Sequence, residues 1–269
     1  MIDAVVLAGG ELERERFQGL TAAVDAKAEI PILGRPMVEW TVRALRETGA
    51  VDRIVVVGPA SLSAGELRAL GVDLIPERGG LAPNVRTGLE ALSGSPRVLV
   101  LSADLPLVSR EALLDLLEHA PEADVVFPVV ERAEAERRFG DREWIYARTA
   151  DGEFTGSALG LVRPGAVLRR WEWAERLLDA RRLSPLRLAM MVGPLIAFKY
   201  LFGALRIRDV EQRLSRILKV GGRAYRSRYP ELAMDVDKLS DLAFVERELR
   251  RRGTEKSGTP AGGDRTSGP

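Results

Sequence analysis

One lysine, three aspartates and a pair of glycines are the residues of this chain whose types and spacing could do chemistry. In chain order they are Gly9-Gly10, Lys27, Asp104, Asp235 and Asp237. Glycine lets a backbone approach a polyphosphate and aim its N–H groups at it, and lysine supplies a compact positive charge for phosphoryl oxygens. Carboxylates from distant segments can complete a site for Mg²⁺, which prefers a few carboxylates together with substrate phosphates and water. The pattern therefore predicts that the chain handles a nucleoside triphosphate together with Mg²⁺.

Each of these residues, taken singly, also has a purely structural interpretation. Gly9-Gly10 could form a strand-to-loop turn, Asp104 could cap the turn that follows it, and the late aspartates could cap the last helix. The first strand is followed neither by the Gly-x-Gly-x-x-Gly of dinucleotide-binding proteins nor by the Gly-Lys-Ser/Thr of a Walker loop. An NAD-dependent oxidoreductase is therefore disfavoured, and the prediction depends on the joint order of the residues.

Composition sets limits on the class of protein. The 269 residues are enough for one large α/β domain, or for a domain with an elaboration. Lys and Arg number 40 against 39 Asp and Glu, so no nucleic-acid partner is expected. The absence of cysteine excludes disulfides, thiolate metal sites and cysteine nucleophiles. No basic region followed by an apolar stretch opens the chain, so we expect a cytoplasmic protein.

Short apolar runs alternate with helical patterns through the first half of the chain. Strands are expected at 4–7, 53–57, 72–75, 98–101 and 124–130, and helices at 36–47, 62–70, 82–92 and 110–119. Most of the strand runs are apolar on both faces, as in parallel strands that helices cover. The alternation predicts an α/β fold with a Rossmann-like, doubly wound, mostly parallel sheet. A carboxylate at the carboxyl edge of such a sheet, as expected for Asp104, points into the crevice where these sheets bind ligands.

The second half of the chain is less regular and predicts a helical elaboration. Strands are expected at 154–162 and 221–229, an apolar stretch at 183–205, and helices at 207–218 and 239–252. We expect a single domain over 1–252, with a helical insert at 183–219. Residues 131–232 would form an elaboration on the side of a second substrate, which is called the acceptor below. The composition of 253–269, rich in Gly, Ser, Thr and Pro, predicts a disordered tail.

The apolar stretch 183–205 is not expected to cross a membrane. Gly193-Pro194 interrupts it and charged residues bracket it, whereas a bilayer span needs about 20 mostly apolar residues. Three interpretations stay open for this stretch: a homodimer face, a cover for the acceptor, and contact with a membrane surface.

Several motifs resemble those of a known family. They are Leu7–Gly10, Lys27 ahead of Ile30–Met37, Ala103–Pro106 and Asp235–Leu242. In these residues the chain is similar to the MobA-like nucleotidyltransferases, typified by the molybdenum cofactor guanylyltransferase and related to the sugar-phosphate nucleotidyltransferases and the methylerythritol-phosphate cytidylyltransferase. The resemblance covers residues 1 to about 130 and 233–245, and it implies the fold of that superfamily.

The resemblance also implies a role for each matching residue. Lys27 and Asp104 would be catalytic, and Mg²⁺ would bind Asp104 with Asp235 as the preferred second ligand and Asp237 as the alternative. The residues implied in nucleotide binding are Leu7, Ala8, Gly9, Gly10, Arg16, Asn84, Arg86 and Thr87. Those implied in acceptor binding are Thr155, Gly156 and Ser157.

The implied activity is Mg²⁺-dependent transfer of a nucleoside monophosphate from an NTP to a phosphorylated sugar, polyol or cofactor, with release of pyrophosphate. Transfer to molybdopterin is one alternative. A non-catalytic nucleotide-binding protein of the same fold is the other, because Glu11–Glu15 is acidic where the family has a glycine-rich loop with an arginine. The single histidine, His119, is interpreted as structural.

Overall fold

A computed structural model of the chain describes residues 1–10, 12, 15–17, 24–63, 66–180 and 185–257. Its strands are β1 (Ile2–Leu7), β2 (Pro31–Ile32), β3 (Arg35–Pro36), β4 (Val51–Gly58), β5 (Asp73–Pro76), β6 (Val98–Ser102), β7 (Val125–Glu131), β8 (Ala147–Thr149), β9 (Gly152–Gly156), β10 (Leu159–Val162) and β11 (Gly222–Ser227). Its helices are α1 (Met37–Glu47), α2 (Glu66–Ala69), α3 (Leu81–Ala91), α4 (Arg110–His119), α5 (Arg132–Phe139), α6 (Pro164–Leu168), α7 (Trp171–Ala180), α8 (Pro185–Val192), α9 (Pro194–Leu201), α10 (Ile207–Leu218) and α11 (Leu239–Ser257).

The main sheet runs β5-β4-β1-β6-β10-β7-β9-β8, and β11 pairs with β7 as well. Strands β5, β4, β1 and β6 are parallel, β10 lies antiparallel between β6 and β7, and β11 is parallel to β7. Strand β1 has β4 on one side and β6 on the other, so the winding of the sheet reverses direction there. The expected α/β fold with a mostly parallel, doubly wound sheet is confirmed.

Helices cover β1 on both faces because its side chains are apolar on both faces. Ala4 and Val6 belong to a core cluster with residues of α1 and α4, whereas Val5 and Leu7 pack with residues of α3 and α7. Gly88 lets α3 approach closely, because a Cβ there would overlap the side chain of Val5. This packing fixes the start of α3 beside the end of β1.

The elaboration after β10 comprises α6 to α10. Helices α8 and α9 pack on α10 around a small apolar cluster. Their outer face exposes large apolar side chains: Met190, Met191, Leu195, Phe198, Leu201 and Phe202. None of the described helices combines the length and the hydrophobicity that crossing a bilayer requires. A homodimer face or membrane-surface contact at this outer face stays a prediction.

The single strand expected at 154–162 is divided into β9 and β10. Pro128 of β7 lies opposite the division, and proline has no N–H to donate to the ladder. Ser157 meets the carbonyl oxygen of Pro128 instead, with its N–H at 3.2 Å and its hydroxyl at 3.1 Å. The strand therefore changes register at residues 157–158.

Three other expected elements differ in their bounds by more than two residues. The helix expected at 62–70 is a 3-10 turn at Ala60–Ser63 and the short α2. The apolar stretch expected at 183–205 is described from residue 185 onward, where it contains α8 and α9, which meet at Gly193 (φ +149°) and Pro194. Helix α11 ends at Ser257 rather than at 252, so the first residues of the expected tail are helical, and 258–269 lie outside the described residues.

A buried carboxylate joins α4 to β11. Asp115 accepts hydrogen bonds from the hydroxyl of Tyr225 and from Nη2 of Arg228, the latter at 2.9 Å. Burial alone would raise the pKa of Asp115, but these two donors outweigh it, and the pKa lies below its ordinary value of 3.8. The ionised carboxylate is thus favoured by the fold. Its contribution to stability is present above pH 4 and is lost as the pH falls through the lowered pKa.

Asp115→Asn should therefore lower the free energy of unfolding at pH 7 by about 1–3 kcal/mol, because the amide cannot accept from both donors. The difference from the parent should shrink as the pH falls below about 4. Urea unfolding at several pH values measures both effects. Glu118→Gln, on the exposed face of the same helix, is the matched control. An Asp115→Asn protein as stable as this control at pH 7 would contradict the assignment.

Candidate active site

The carboxyl edge of β1 and β6 forms the base of the site. The N–H of Ala103 donates to the carbonyl oxygen of Leu7 at 2.9 Å, which extends the pairing of the two strands to the residue before Asp104. The N–H groups of Ala8 and Gly9 both donate to the carbonyl oxygen of Val57, at 2.8 and 3.0 Å. The N–H groups of Ala8 and Gly9 are thus paired within the sheet, and the next residue, Gly10, is exposed.

Lys27 meets two carboxylates that are far from it in sequence. It opens a 3-10 turn, Lys27–Glu29, in which the Glu29 carboxylate accepts the N–H groups of Asp25 and Ala26. From there its Nζ donates to Asp104 Oδ2 at 2.6 Å and to Asp237 Oδ1 at 2.8 Å. Burial alone would lower the pKa of Lys27, but the two carboxylates raise it above its ordinary value. The lysine is therefore a fixed positive charge.

Asp235 is the third carboxylate of this group. The N–H of Val236 donates to the carbonyl oxygen of Asp104 at 3.0 Å, which fixes the late segment beside the end of β6. Burial, and then the nearby carboxylates of Asp104 and Asp237, raise the pKa of Asp235 to about 7. The expected gathering of Lys27, Asp104, Asp235 and Asp237 at one edge of the sheet is what the structure has.

The closing helix has a different cap from the one that the late aspartates could have formed. Asp241 accepts the N–H groups of Asp237 and Lys238 at 3.2 Å each, and it also binds Arg142 Nη2 at 2.8 Å. This leaves the side chains of Asp235 and Asp237 directed to the cluster around Lys27. Asp241 thus accepts the N–H groups at the start of this helix, and Asp237 binds Lys27.

The donor set of this cluster fits Mg²⁺. Asp104 Oδ2 is occupied by Lys27, but Asp104 Oδ1 is buried and has no hydrogen-bond partner. Such an oxygen is expensive to bury unless a cation or a donor reaches it. Over the described ranges no three His, Asp or Glu side chains form a ready metal cage. An ion would be held by one or two carboxylates and would need substrate phosphates and water to complete its shell.

The first turn of α3 places a second group near the end of β1. Asn84 is 1% exposed, and its Oδ1 accepts the N–H of Arg78 at 2.7 Å. Its Nδ2 is buried without a partner and lies so close to Gly9 that a Cβ at Gly9 would be 2.5 Å away. A Cβ at Gly9 would also overlap the carboxylate of Glu77. Gly9 is therefore needed because two side chains converge on it.

Glu77 is a residue of this region that the sequence analysis missed. It directly follows β5, as Asp104 follows β6 after one turn, and its N–H donates to the carbonyl oxygen of Gly58. Its position at the end of a parallel strand is the signal that would have found it.

The other expected nucleotide-binding residues lie around this core. Arg86 is exposed on α3, where its Nε binds Glu90 at 2.8 Å. Thr87 is half-buried and lies one turn from Asn84. Arg16 is exposed next to Phe17, whose ring is fully buried among residues that include Val236. Of the acidic stretch Glu11–Glu15, residues 11, 13 and 14 lie outside the described residues.

The expected acceptor-binding residues lie where β9 passes into β10. Thr155 and Gly156 pair with Val130 and Val129 of β7. The hydroxyl of Ser157 is within hydrogen-bond distance of the carbonyl oxygens of Pro128 and Leu159, so its role in the structure is local. The strand nevertheless adjoins the site, because the N–H of Ser102 donates to the carbonyl oxygen of Ala158.

Comparison with known proteins points to one family. Residues 4–226 match the family described as MobA-like NTP transferase domain. A structure titled a hypothetical transferase, from Thermus thermophilus, is 38% identical with a TM-score of 0.78, over 90% of this chain and 100% of that one. The 2-C-methyl-D-erythritol 4-phosphate cytidylyltransferase of the same organism has the same fold, with a TM-score of 0.54 and 19% identity over 93% of this chain and 100% of its own.

Curated relatives match a little under half of the chain. The bifunctional protein GlmU of Geotalea daltonii is 32% identical over 134 residues, which are 48% of this chain and 28% of that protein. GlmU of Rhodospirillum rubrum is 35% identical over 117 residues, 43% of this chain and 25% of its own length. The chain thus spans less than a third of the length of these curated relatives.

Asp235→Asn should stabilise the metal-free protein at alkaline pH. The pKa of Asp235 is about 7 in the fold against an ordinary 3.8, so the folded state keeps a proton that the unfolded state releases. Stability therefore falls as the pH rises from about 4 to about 7, and asparagine removes this loss. We expect a higher Tm than the parent at about pH 8 in EDTA and no difference near pH 4. Asp179→Asn, at an exposed site on α7, is the control. If Asp235→Asn and the parent have the same Tm at pH 8, the assigned rise in the pKa of Asp235 is disproved.

Proposed function

The chain belongs to the MobA-like NTP transferase family, and from this premise we propose that it transfers a nucleoside monophosphate from an NTP to a phosphorylated small molecule, with release of pyrophosphate. One observation carries the proposal. Lys27 donates to both Asp104 and Asp237 at the carboxyl edge where the sheet reverses its winding. A doubly wound sheet binds ligands in the crevice at that point.

The reaction asks for positioning and neutralisation of charge rather than for a side-chain nucleophile. An oxygen of the acceptor phosphate attacks the α-phosphorus of the NTP, and the bond to the β-phosphate oxygen breaks as pyrophosphate leaves. Negative charge on the transferred and leaving oxygens has to be held in line by fixed positive groups. This chain offers the Lys27 ammonium, whose raised pKa keeps it charged.

The two ion pairs of Lys27 are unequal in exposure, which matters for substrate entry. The Asp104 side chain is 16% exposed, whereas that of Asp237 is 54% exposed. An exposed ion pair contributes little to stability and exchanges easily. We infer that an incoming phosphate takes the place of Asp237 on the ammonium, while Asp104 keeps Lys27 aligned.

Asp104 and Asp235 would hold Mg²⁺, through the unpartnered Oδ1 of Asp104 and the buried carboxylate of Asp235. When bound, the ion neutralises phosphate charge and orients the phosphate oxygens. The raised pKa of Asp235 is consistent with this role, because a cation would favour the ionised form that burial and the neighbouring carboxylates oppose.

Asn84 is the residue best placed to bind the nucleoside. A buried amide Nδ2 without a partner is a donor that a carbonyl oxygen of a base, or a ribose oxygen, can satisfy. Its other end is fixed by Arg78, so the amide orientation is set before any ligand binds. Two glycines near Asn84 would let a nucleoside approach closely, because they carry no side chain. They are Gly9 at the end of β1 and Gly80 (φ +85°) before α3.

Asp104→Asn should lower the rate of pyrophosphate release by about 10²-fold or more, because the amide replaces a ligand of the cation and a partner of Lys27. The assay mixes each of the four NTPs with Mg²⁺ and a set of sugar, polyol and cofactor phosphates. Far-UV circular dichroism should match the parent. Asp52→Asn, exposed at the start of β4, is the control. Full activity of Asp104→Asn would exclude the proposed roles of Asp104, and no release from any NTP with the parent would speak against the function itself.

The substitution Asn84→Asp tests the Nδ2 donor of Asn84 separately from its Oδ1 acceptor. The variant keeps the acceptor for the Arg78 N–H and removes the Nδ2 donor, so we expect NTP affinity to fall roughly ten-fold or more. Equilibrium dialysis with each NTP measures it. Gln212→Glu makes the same change of charge at an exposed position on a different helix, α10, and should bind NTP as the parent does. Unchanged affinity in Asn84→Asp would remove Asn84 from the nucleotide site.

A further inference from the structure

An apolar cavity lies between the sheet and the helices of the elaboration. Its volume is about 350 Å³, within the range of about 300–1,000 Å³ that small-molecule sites occupy. Strands β1, β6, β7 and β10 form its floor, and α3, α6, α7 and α10 form its walls. Apart from Ser157 and Arg170, the side chains that line it are apolar.

One end of this cavity lies beside the candidate active site. Leu7 and Ala158 line it there, and their carbonyl oxygens accept the N–H groups of Ala103 and Ser102. These are the two residues that precede Asp104. The cavity and the site therefore share the same short stretch of backbone.

The other end lies toward the opposite edge of the sheet. Val125 begins β7, Gly222 begins β11, and Val162 ends the antiparallel β10, and all three line the cavity. From Ala158 to Val162 the strand covers roughly 13 Å at about 3.3 Å per residue. The cavity is thus elongated, with one end at the catalytic edge.

Its chemistry selects an apolar occupant. Protein interiors leave few voids larger than a water molecule, and cavities lined by Leu and Val stay dry and bind apolar molecules. Ser157 offers a ligand little, because its hydroxyl already lies at 3.0–3.1 Å from two carbonyl oxygens. Arg170 is exposed, so its charged group does not make the interior polar.

We propose that this cavity binds the hydrocarbon portion of the acceptor, so that the substrate class is a phosphate monoester of a long-chain or lipid alcohol. The inference rests on the proposed function. The phosphate lies at the catalytic edge near Asp104 and the chain runs past Leu7 and Ala158 toward Val162. An oxygen of the monoester forms the bond to the α-phosphorus of the NTP, the bond to the β-phosphate oxygen breaks, and pyrophosphate leaves.

A chain-length series tests the proposal with the intact protein. Ethyl, butyl and octyl monophosphate are compared as acceptors at saturating NTP and Mg²⁺, each below its aggregation concentration. We expect kcat/KM to rise roughly ten-fold for every two methylene groups that the cavity takes up. A kcat/KM that does not change from ethyl to octyl phosphate would overturn the proposal while leaving nucleotidyl transfer intact.

Calorimetry of octyl phosphate binding without nucleotide gives a readout that does not depend on transfer. Burial of the chain predicts a negative heat-capacity change of binding. Ala174→Trp, which fills the cavity from α7, should weaken binding at least ten-fold, whereas Glu172→Trp on the exposed side of the same helix should not.

The two failures are distinguishable. If the parent binds octyl phosphate and Ala174→Trp does not, the hydrocarbon site is supported. If no acceptor then leads to pyrophosphate release, the proposed function is refuted although the hydrocarbon site stands. Parent protein that does not bind octyl phosphate would overturn the hydrocarbon site. If Ala174→Trp does not fold, the chain-length series and the heat capacity of the parent still decide.

Discussion

The constraint on which the site depends is the placement of one ammonium between carboxylates from two distant segments. Lys27 contacts Asp104, which follows a central strand, and Asp237, which precedes the last helix. Without a positive charge among them, Asp104, Asp235 and Asp237 would repel one another in a partly buried position. The lysine therefore holds together the late segment and the sheet edge, in addition to any role toward phosphate.

Most of the surrounding structure serves to fix this group. The backbone bond from Ala103 to Leu7 aligns the ends of β6 and β1, and the bond from Val236 to Asp104 brings in the late segment. Asp241 caps α11, so the carboxylates before it remain available to the site. The first two contacts join segments that are about one hundred residues or more apart in the sequence, and the third is local to the start of α11. A rigid arrangement of charge is what phosphoryl transfer requires of a protein.

The two flanks of the candidate site differ in character. On the flank at the start of α3, the polar side chains of Asn84 and Glu77 converge on Gly9. On the other flank, the strand is divided at Ser157, opposite Pro128. There α7 and α10 enclose the apolar cavity against the sheet. A single edge of the sheet thus meets a charged cluster, a buried amide and an apolar cavity.

The sequence was a good guide wherever local pattern decides structure. Periodicity predicted most strands and helices of the first half to within a few residues. Bounds were wrong where a non-local partner decides, as at 154–162, where Pro128 of another strand causes the break. The helix expected at 62–70 likewise became a 3-10 turn and a short α2.

By itself the sequence determined the α/β class, because alternating strand and helix patterns predict it. It also named Lys27, Asp104, Asp235 and Asp237 as candidates for one site, of which Asp104 follows a parallel strand. Only the tertiary structure decided that Asp104 and Asp237 both bind Lys27, that Glu77 and Asn84 meet at Gly9, and that Arg86 binds Glu90. It also decided that an apolar cavity adjoins the site. The reason is physical: hydrogen bonds, burial and cavities depend on distances between segments, and spacing along the chain does not contain those distances.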